Sequence, residues 1–492
     1  MNKISAALLA ASASFGLASC TTSGTQTTAT GYSLDFSTQT ATQQSTEMNG
    51  QTVEYRAYEG IVYVKNPVDT KYETLNIYVP EAYYHSHSID GYTAESAPIF
   101  LPNQIGGYMP AEAGKPGLDE RSKQPNAMLV ALSKGYVVAS PGARGRTESN
   151  GKAPAAIIDL KAAVRYLHAN DNIMPGDAKK IISNGTSAGG ALSVLLGASG
   201  NSQDYEGRLK ALGAADAPDN IFAVSAYCPI TDLDHADMAY EWQFNGVNDY
   251  QKMNISMVDY KVKRELVPGT LTAAEINISN LLKPKYPTYL NSLNLKDQQG
   301  RALTLNADGK GSFQNYISSY LAASAQSQLD AGKDLSDRKW LTIKNGKVTA
   351  VDFVAYAKAA GRQKTPPAFD GLNLENAENQ LFGAATVDKQ HFTEFSQQHS
   401  TAKNADLADA QTIKMMNPFN YIGKADHKLP QNWRIRVGTA DRDTSLAISA
   451  SLAAKLRNND ATVDYALPWD VPHSGDYDLE ELFAWMKQIA AK

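Results

Sequence analysis

Apolar and polar positions divide this chain into a segmented first half, a long stretch without clear period and a segmented end. Gly60-Ile-Val-Tyr-Val-Lys65 and Leu75-Asn-Ile-Tyr-Val-Pro80 carry the alternation and branched side chains of strands. Pro98-Ile-Phe-Leu-Pro-Asn103, Tyr136-Val-Val-Ala-Ser140, the run from Ile181 and Ala223-Val-Ser-Ala-Tyr-Cys-Pro229 are short apolar runs that predict further strands. Between them the pattern changes period. A helix is expected around residues 126–134, and Pro154 opens another in which Ile157, Leu160, Lys161, Val164 and Leu167 recur at three- and four-residue steps.

Strand alternating with helix over this span predicts a mostly parallel, doubly wound α/β sheet. The pattern stops near residue 232. From there to about 430 the text is polar, helix-prone and irregular, with one hairpin signal at Asn345-Gly346, and it is expected to be a large insertion. The sheet resumes at Arg434-Ile-Arg-Val-Gly438. A helix from Thr444, the strand Ala461–Leu467 and a last helix with Leu479, Leu482, Phe483, Met486 and Ile489 on one face complete it. The expected units are a core over 53–231, a lid insertion over 232–430 and the rest of the core over 431–492.

Composition adds an address. Lys3, an apolar stretch from Ile4 and Leu17-Ala-Ser-Cys20 read as a secretory signal over residues 1–19, too short for a stable membrane span. Leu-Ala-Ser-Cys resembles a bacterial lipobox, which implies cleavage before Cys20, lipid on its thiol and a membrane-anchored, exported protein; an ordinary signal peptide cut nearby is the alternative. Residues 20–52, rich in Thr, Ser and Gln, are expected to be a flexible tether. The only other cysteine is Cys228, so no disulfide framework is available. A net charge of −5 over 492 residues and no long basic run argue against nucleic acid as a partner.

The chemistry centres on Gly185-Thr-Ser-Ala-Gly189, where the strand from Ile181 meets a helix beginning with small residues. A G-x-S-x-G turn forces strained angles on the serine and needs nearly side-chain-free flanks, and it exposes the serine at a helix N-terminus. Such a nucleophile is followed in chain order by an acid after a late strand and a histidine after the last strand. The two stations hold Asp441 or Asp443, and His473. Ser187, Asp441 and His473 are therefore the expected triad, with Asp443 competing for the acid role. Ala188 should give one oxyanion N–H, and Gly106 or Gly107 the other. His85, His87, His168, His235, His391, His399 and His427 occupy helices, strand ends or the insertion and read as ordinary polar residues.

With these residues placed, the chain resembles the bacterial tannases, which cleave gallate esters, and more distantly the feruloyl esterases. The likeness spans roughly residues 55–490 and is carried by Gly185–Gly190, Asp441-Arg-Asp443, Pro472-His473, Lys364 and Glu378-Asn-Gln-Leu-Phe-Gly383. It implies an α/β-hydrolase fold and a lid bearing substrate-binding residues. It also implies that Asp441 is the triad acid, and that Lys364, Glu378 and Asp443 hold the three phenolic hydroxyls. Fungal relatives carry a disulfide between cysteines beside the nucleophile and the histidine; here Thr186 and Ser474 stand at those places. Phenolic hydroxyls suit carboxylate acceptors, and an ammonium can donate to the same oxygens.

The expected activity is serine-esterase hydrolysis of galloyl esters, small-molecule aryl esters, with no metal or organic cofactor implied. A feruloyl or other aryl carboxylesterase with the same triad is the nearest alternative, and a non-catalytic surface protein that binds polyphenols is one of another class. Asp232-Leu-Asp234-His-Ala-Asp237 lacks the spacing of a calcium loop and reads as an acidic loop. Arg144 and Arg146 read as loop arginines paired with carboxylates.

Overall fold

The computed structural model describes residues 31–119, 122–258, 261–424 and 429–491. The expected signal segment, Cys20 and His427 lie outside them. In chain order the strands are β1 (Thr42–Met48), β2 (Gln51–Val62), β3 (Thr74–Pro80), β4 (Pro98–Pro102), β5 (Val137–Pro141), β6 (Asp177–Thr186), β7 (Ala223–Tyr227), β8 (Asp249–Val258), β9 (Lys261–Thr270), β10 (Leu341–Lys344), β11 (Lys347–Val351), β12 (Asn432–Arg436) and β13 (Thr462–Ala466). One sheet takes nine of them in the order β1-β2-β3-β5-β4-β6-β7-β12-β13. The pairs from β5 to β13 are parallel, and β1, β2 and β3 add antiparallel partners at one side.

Every residue of β4, β5, β7 and β12 is buried, as strands covered on both faces require. Their side chains alternate between two layers. Ile99, Leu101, Val137, Ala139 and Ile181 pack with helices Ala155–Ala169 and Ala188–Ala198 on one face. Phe100, Val138, Ile182 and Ala223 pack with helices Ala127–Ser133 and Leu479–Ala490 on the other. This is the doubly wound α/β architecture that the alternation predicts, and it agrees with the hydrolase fold that the resemblance implies.

The tether expectation needs correction for residues 31–52. Phe36 is buried against Tyr58 with ring centroids 4.7 Å apart, its N–H donates to Asn170 Oδ1 at 2.9 Å, and β1 pairs along its whole length with β2. A mean over Thr- and Gln-rich text hides one anchoring aromatic, and an edge strand is held by backbone groups that any residue supplies.

Among the described residues, no strand between β7 and β12 joins the main sheet. That stretch holds helices, the β10–β11 hairpin over Asn345-Gly346 and a longer β8–β9 hairpin that its polar text does not announce. It is fixed to the core through Tyr240, whose hydroxyl donates to Arg442 O at 3.0 Å and accepts from the N–H groups of Gln363 and Lys364, each at 3.1 Å. Beneath it Arg362 and Glu241 form a fully buried ion pair. No helix among the described residues is long and apolar enough to cross a membrane.

Candidate active site

β6 ends in a turn that leaves Ser187 at φ 58°, ψ −121°, just before the helix Ala188–Ala198. The turn closes because Ser187 N–H donates to Tyr227 O at 3.0 Å across to β7, and Gly189 N–H to Ile105 O at 3.1 Å. A side chain at Gly185 would sit 2.3 Å from Gly189 O, so only glycine fits there. Asn103 staples the arrangement from below. Its amide donates to Gly189 O at 3.1 Å and to Ser193 Oγ at 3.2 Å, and its Oδ1 accepts from Ile105 N–H.

β12 and β13 lead into the loops that carry Asp441 and His473. His473 Nε2 lies 2.8 Å from Ser187 Oγ, and Nδ1 lies 2.8 Å from Asp441 Oδ2. Asp443 stands farther off, its Oδ2 3.5 Å from the same Nδ1. Asp441 is buried while Ser187 and His473 are half-buried, so the relay runs from the interior to an outer end that solvent reaches. The histidine comes this close because Gly475 has no side chain: a Cβ there would fall 1.8 Å from Thr186 Oγ1.

Burial alone would lower the His473 pKa. The Asp441 charge and hydrogen bond, aided by Cys228 and Asp443, outweigh it and hold the imidazole well above its ordinary value. Cys228, buried at φ 38°, brings its Sγ within 3.8 Å of Nε2. The text offered no hint of this neighbour beyond its position at the end of β7.

The loop after β4 lies over the start of the helix Ala188–Ala198 through the Ile105 contact, with Gly106 and Gly107 exposed at its turn. Gly107 and Tyr108 both take positive φ of 55°, and the Gly107 carbonyl accepts from Arg146 Nε at 2.7 Å.

Lys364, Glu378 and Asp443 reach the same region from three elements, and all are half-buried. Glu378, in the helix Ala377–Leu381, has its pKa raised by burial, against the pull of Lys364 and Arg146 and with a further push from Asp443. Its charge is therefore in electrostatic contact with both other candidates. Lys364 Nζ lies 4.1 Å over the Phe369 ring, and Gln363 Nε2 donates to Asp443 Oδ1. Gln363 has no sequence signal of its own.

A second Ser–His–Asp relay sits between β11 and β12: Ser400 Oγ is 2.8 Å from His391 Nε2, and His391 Nδ1 is 2.7 Å from Asp370 Oδ1. Its environment suits structure. His391 and Asp370 are fully buried, Ser400 Oγ is engaged with Leu372 O and Ala402 N–H, and Asp370 also accepts from Asn379, Phe392 and Thr393. The relay thus braces the helix that carries Glu378.

Other candidates resolve into local partnerships. Asp232 accepts from His235, Asn417 and Tyr289, and its charge raises the His235 pKa to about 10 against the effect of burial. Asp232, Asp234 and His235 form one donor group that could hold a cation, and Cys228, Asp441 and His473 another. Arg144 pairs with Asp159 and Glu73 in the core, as the carboxylate expectation requires. Arg146 departs from it, its hydrogen bonds going to the Gly107 carbonyl and the Gln380 amide. His168, His399 and His85 bond to Asn220 O, Phe395 O and Glu81.

Comparison with known proteins places this geometry in context. A family model described as BD-FAE matches residues 117–267. No curated protein matches. Among solved structures, a tannase from Fusobacterium nucleatum is 51% identical with a TM-score of 0.89, the match covering 93% of this chain and 100% of that one. A tannase from Lactobacillus plantarum is 46% identical with a TM-score of 0.88, covering 92% and 98%. A tannin acyl hydrolase in complex with ethyl gallate is 46% identical with a TM-score of 0.86, covering 92% and 97%.

Proposed function

The chain belongs to the bacterial tannase family of α/β-hydrolases and is a carboxylic ester hydrolase, and from that premise we propose that Ser187, His473 and Asp441 hydrolyse galloyl esters through an acyl-enzyme. The observation that carries the reading is the unbroken run of hydrogen bonds from Asp441 through His473 to Ser187, each 2.8 Å long. His473 Nε2 takes the hydroxyl proton as Ser187 Oγ attacks the ester carbonyl, and Asp441 steadies the imidazolium. Nε2 then gives the proton to the leaving alcohol. Water, activated by the same nitrogen, frees the acid.

The Ala188 N–H, at the start of the nucleophile helix, and the Gly106 or Gly107 N–H receive the oxyanion. Lys364, Glu378 and Asp443 bind the ring hydroxyls. The influence of both Lys364 and Asp443 on the Glu378 carboxyl and the ethyl gallate complex of the similar tannin acyl hydrolase support that assignment. An acceptor carboxylate left facing a methoxy group is poorly paired, so ferulate should be the poorer substrate. The BD-FAE match keeps a feruloyl-esterase-like activity as the second reading.

Parallel rates on methyl gallate and methyl ferulate test the choice: faster turnover of ferulate would reject the gallate assignment. Covalent labelling by a fluorophosphonate, lost in Ser187→Ala, tests the nucleophile and excludes a purely binding role. The N-terminal text supports export and a lipid anchor on Cys20, with residues 232–430 as the lid. Metabolic labelling with a fatty-acid probe, lost in Cys20→Ala, checks the anchor.

A further inference from the structure

The two sides of the proposed site come from different parts of the chain, the proposed oxyanion loop from the segment after β4 and the Glu378 helix from the stretch between β11 and β12. One side chain touches both. Arg146 Nε donates to Gly107 O at 2.7 Å, and its Nη1 donates to Gln380 Oε1, two residues beyond Glu378 in the same helix. The Arg146 backbone N–H also holds Tyr108 O at 2.8 Å. Burial lowers the Arg146 pKa while the charges of Glu378 and Asp388 oppose that effect, so its guanidinium lies within the field of the ring site.

Gly106 and Gly107 are exposed, and glycines fix their own backbone poorly. Outside bonds must do it. Met109 N–H donates to Gly106 O at 3.0 Å and sets the peptide plane that carries the Gly107 N–H, while Arg146 sets the next plane through Gly107 O. The lid end is fastened as well, since Gln380 Nε2 donates to Asp388, and Lys152 Nζ binds both Asp388 Oδ1 and Arg146 O.

We propose that Arg146 is a positioning residue that couples ring recognition to the oxyanion hole, the planar guanidinium holding the Gly107 carbonyl at one end and the Glu378 helix at the other. The inference rests on the galloyl-ester reading and its oxyanion assignment. Ring binding at Glu378 then fixes the helix, and through Arg146 the loop that must meet the developing negative charge. Displacements well short of a bond length matter in such a loop, and one of about 1 Å can cost on the order of 100-fold in rate.

Steady-state kinetics of Arg146→Ala and Arg146→Lys on methyl gallate and methyl benzoate test this, alone and combined with Glu378→Gln. Arg146→Ala should lower kcat on methyl gallate by about 10- to 100-fold with a smaller change in KM, and lower it less on benzoate, which does not engage Glu378. Lysine keeps the charge but not the two-ended fork, so Arg146→Lys should be nearly as impaired. In the Glu378→Gln background the Arg146→Ala loss on gallate should shrink to its benzoate value.

Additive losses, full recovery with lysine, or an effect confined to KM would overturn the coupling. If Arg146→Ala does not fold, Gln380→Ala cuts the lid end alone and should reproduce the gallate-specific part of the loss. A wild-type enzyme indifferent between the two esters would sink the galloyl reading itself, a result visible before any variant is compared.

Discussion

The backbone N–H of Asp443 donates to Oδ1 of Asp441 at 2.9 Å, which holds the Asp441 carboxylate in place beside the imidazole. Asp441 Oδ2 takes the bond from His473 Nδ1, and Asp443 adds charge from 3.5 Å. Both stabilise the imidazolium and help raise the His473 pKa above 6.5. A general base must be neutral, so activity should fall as pH drops through that raised value. Asp443→Asn removes one stabilising charge, and the acid limb of kcat/KM should move to lower pH. Methyl benzoate is the substrate to use, because it leaves ring recognition out; a limb that stays put or moves up would refute the electrostatic account.

In the proposed ring site Glu378 must be ionised to accept hydrogen bonds from the phenolic hydroxyls. Burial raises its pKa above 4.5 while Lys364 pulls it back. The KM for methyl gallate should therefore climb on acidification at a higher pH than an ordinary carboxylate would give. In Lys364→Met the rise should begin at still higher pH, since the opposing cation is gone. KM for methyl benzoate should show neither trend, and pH profiles of both esters decide the matter.

Lys364→Met and Glu378→Gln should each reduce kcat/KM on gallate by about 10- to 100-fold, the cost of a charged hydrogen bond of roughly 1.5–3 kcal/mol. Benzoate hydrolysis should change far less. Equal losses on both esters would place these residues outside the ring site.

Ser187→Ala should lose about 10⁴-fold or more in kcat, and Asp441→Asn about 10⁴-fold through the wrong imidazole tautomer. The same fold loss in Ser400→Ala would point to the relay through His391 instead.

His391→Ala should act on stability. It removes one of the donors to the fully buried Asp370 carboxylate, which keeps Asn379, Phe392 and Thr393, and a lost hydrogen bond to a charged group costs roughly 1.5–3 kcal/mol. Urea unfolding should show that loss. Residual activity should retain its pH profile, since His391 belongs to the bracing network and not to the cleft.

Much of this molecule was legible as text because its information is local. Branched apolar runs such as Val137–Ala139 specify buried strands whatever they pair with, and the glycines around Ser187 permit one sharp turn that few other residues allow. Chain order then singles out His473 among eight histidines, and the two candidate acids after β12 follow from the same order. What the residues alone left open was Asp441 against Asp443, which depends on distances of 2.8 and 3.5 Å to a side chain some thirty positions away.

The tertiary structure also decided what composition misjudged or could not address. A Thr- and Gln-rich stretch became an edge strand because Phe36 found Tyr58, and a polar run became the β8–β9 hairpin because backbone pairing needs no apolar signal. Gln363, Cys228, Asn103 and Arg146 gain their places only when segments up to 245 residues apart meet, as Cys228 and His473 do. Sequence fixes the period and the turn because sterics act between neighbours; packing alone determines which distant polar groups share one cleft and hold one another in register.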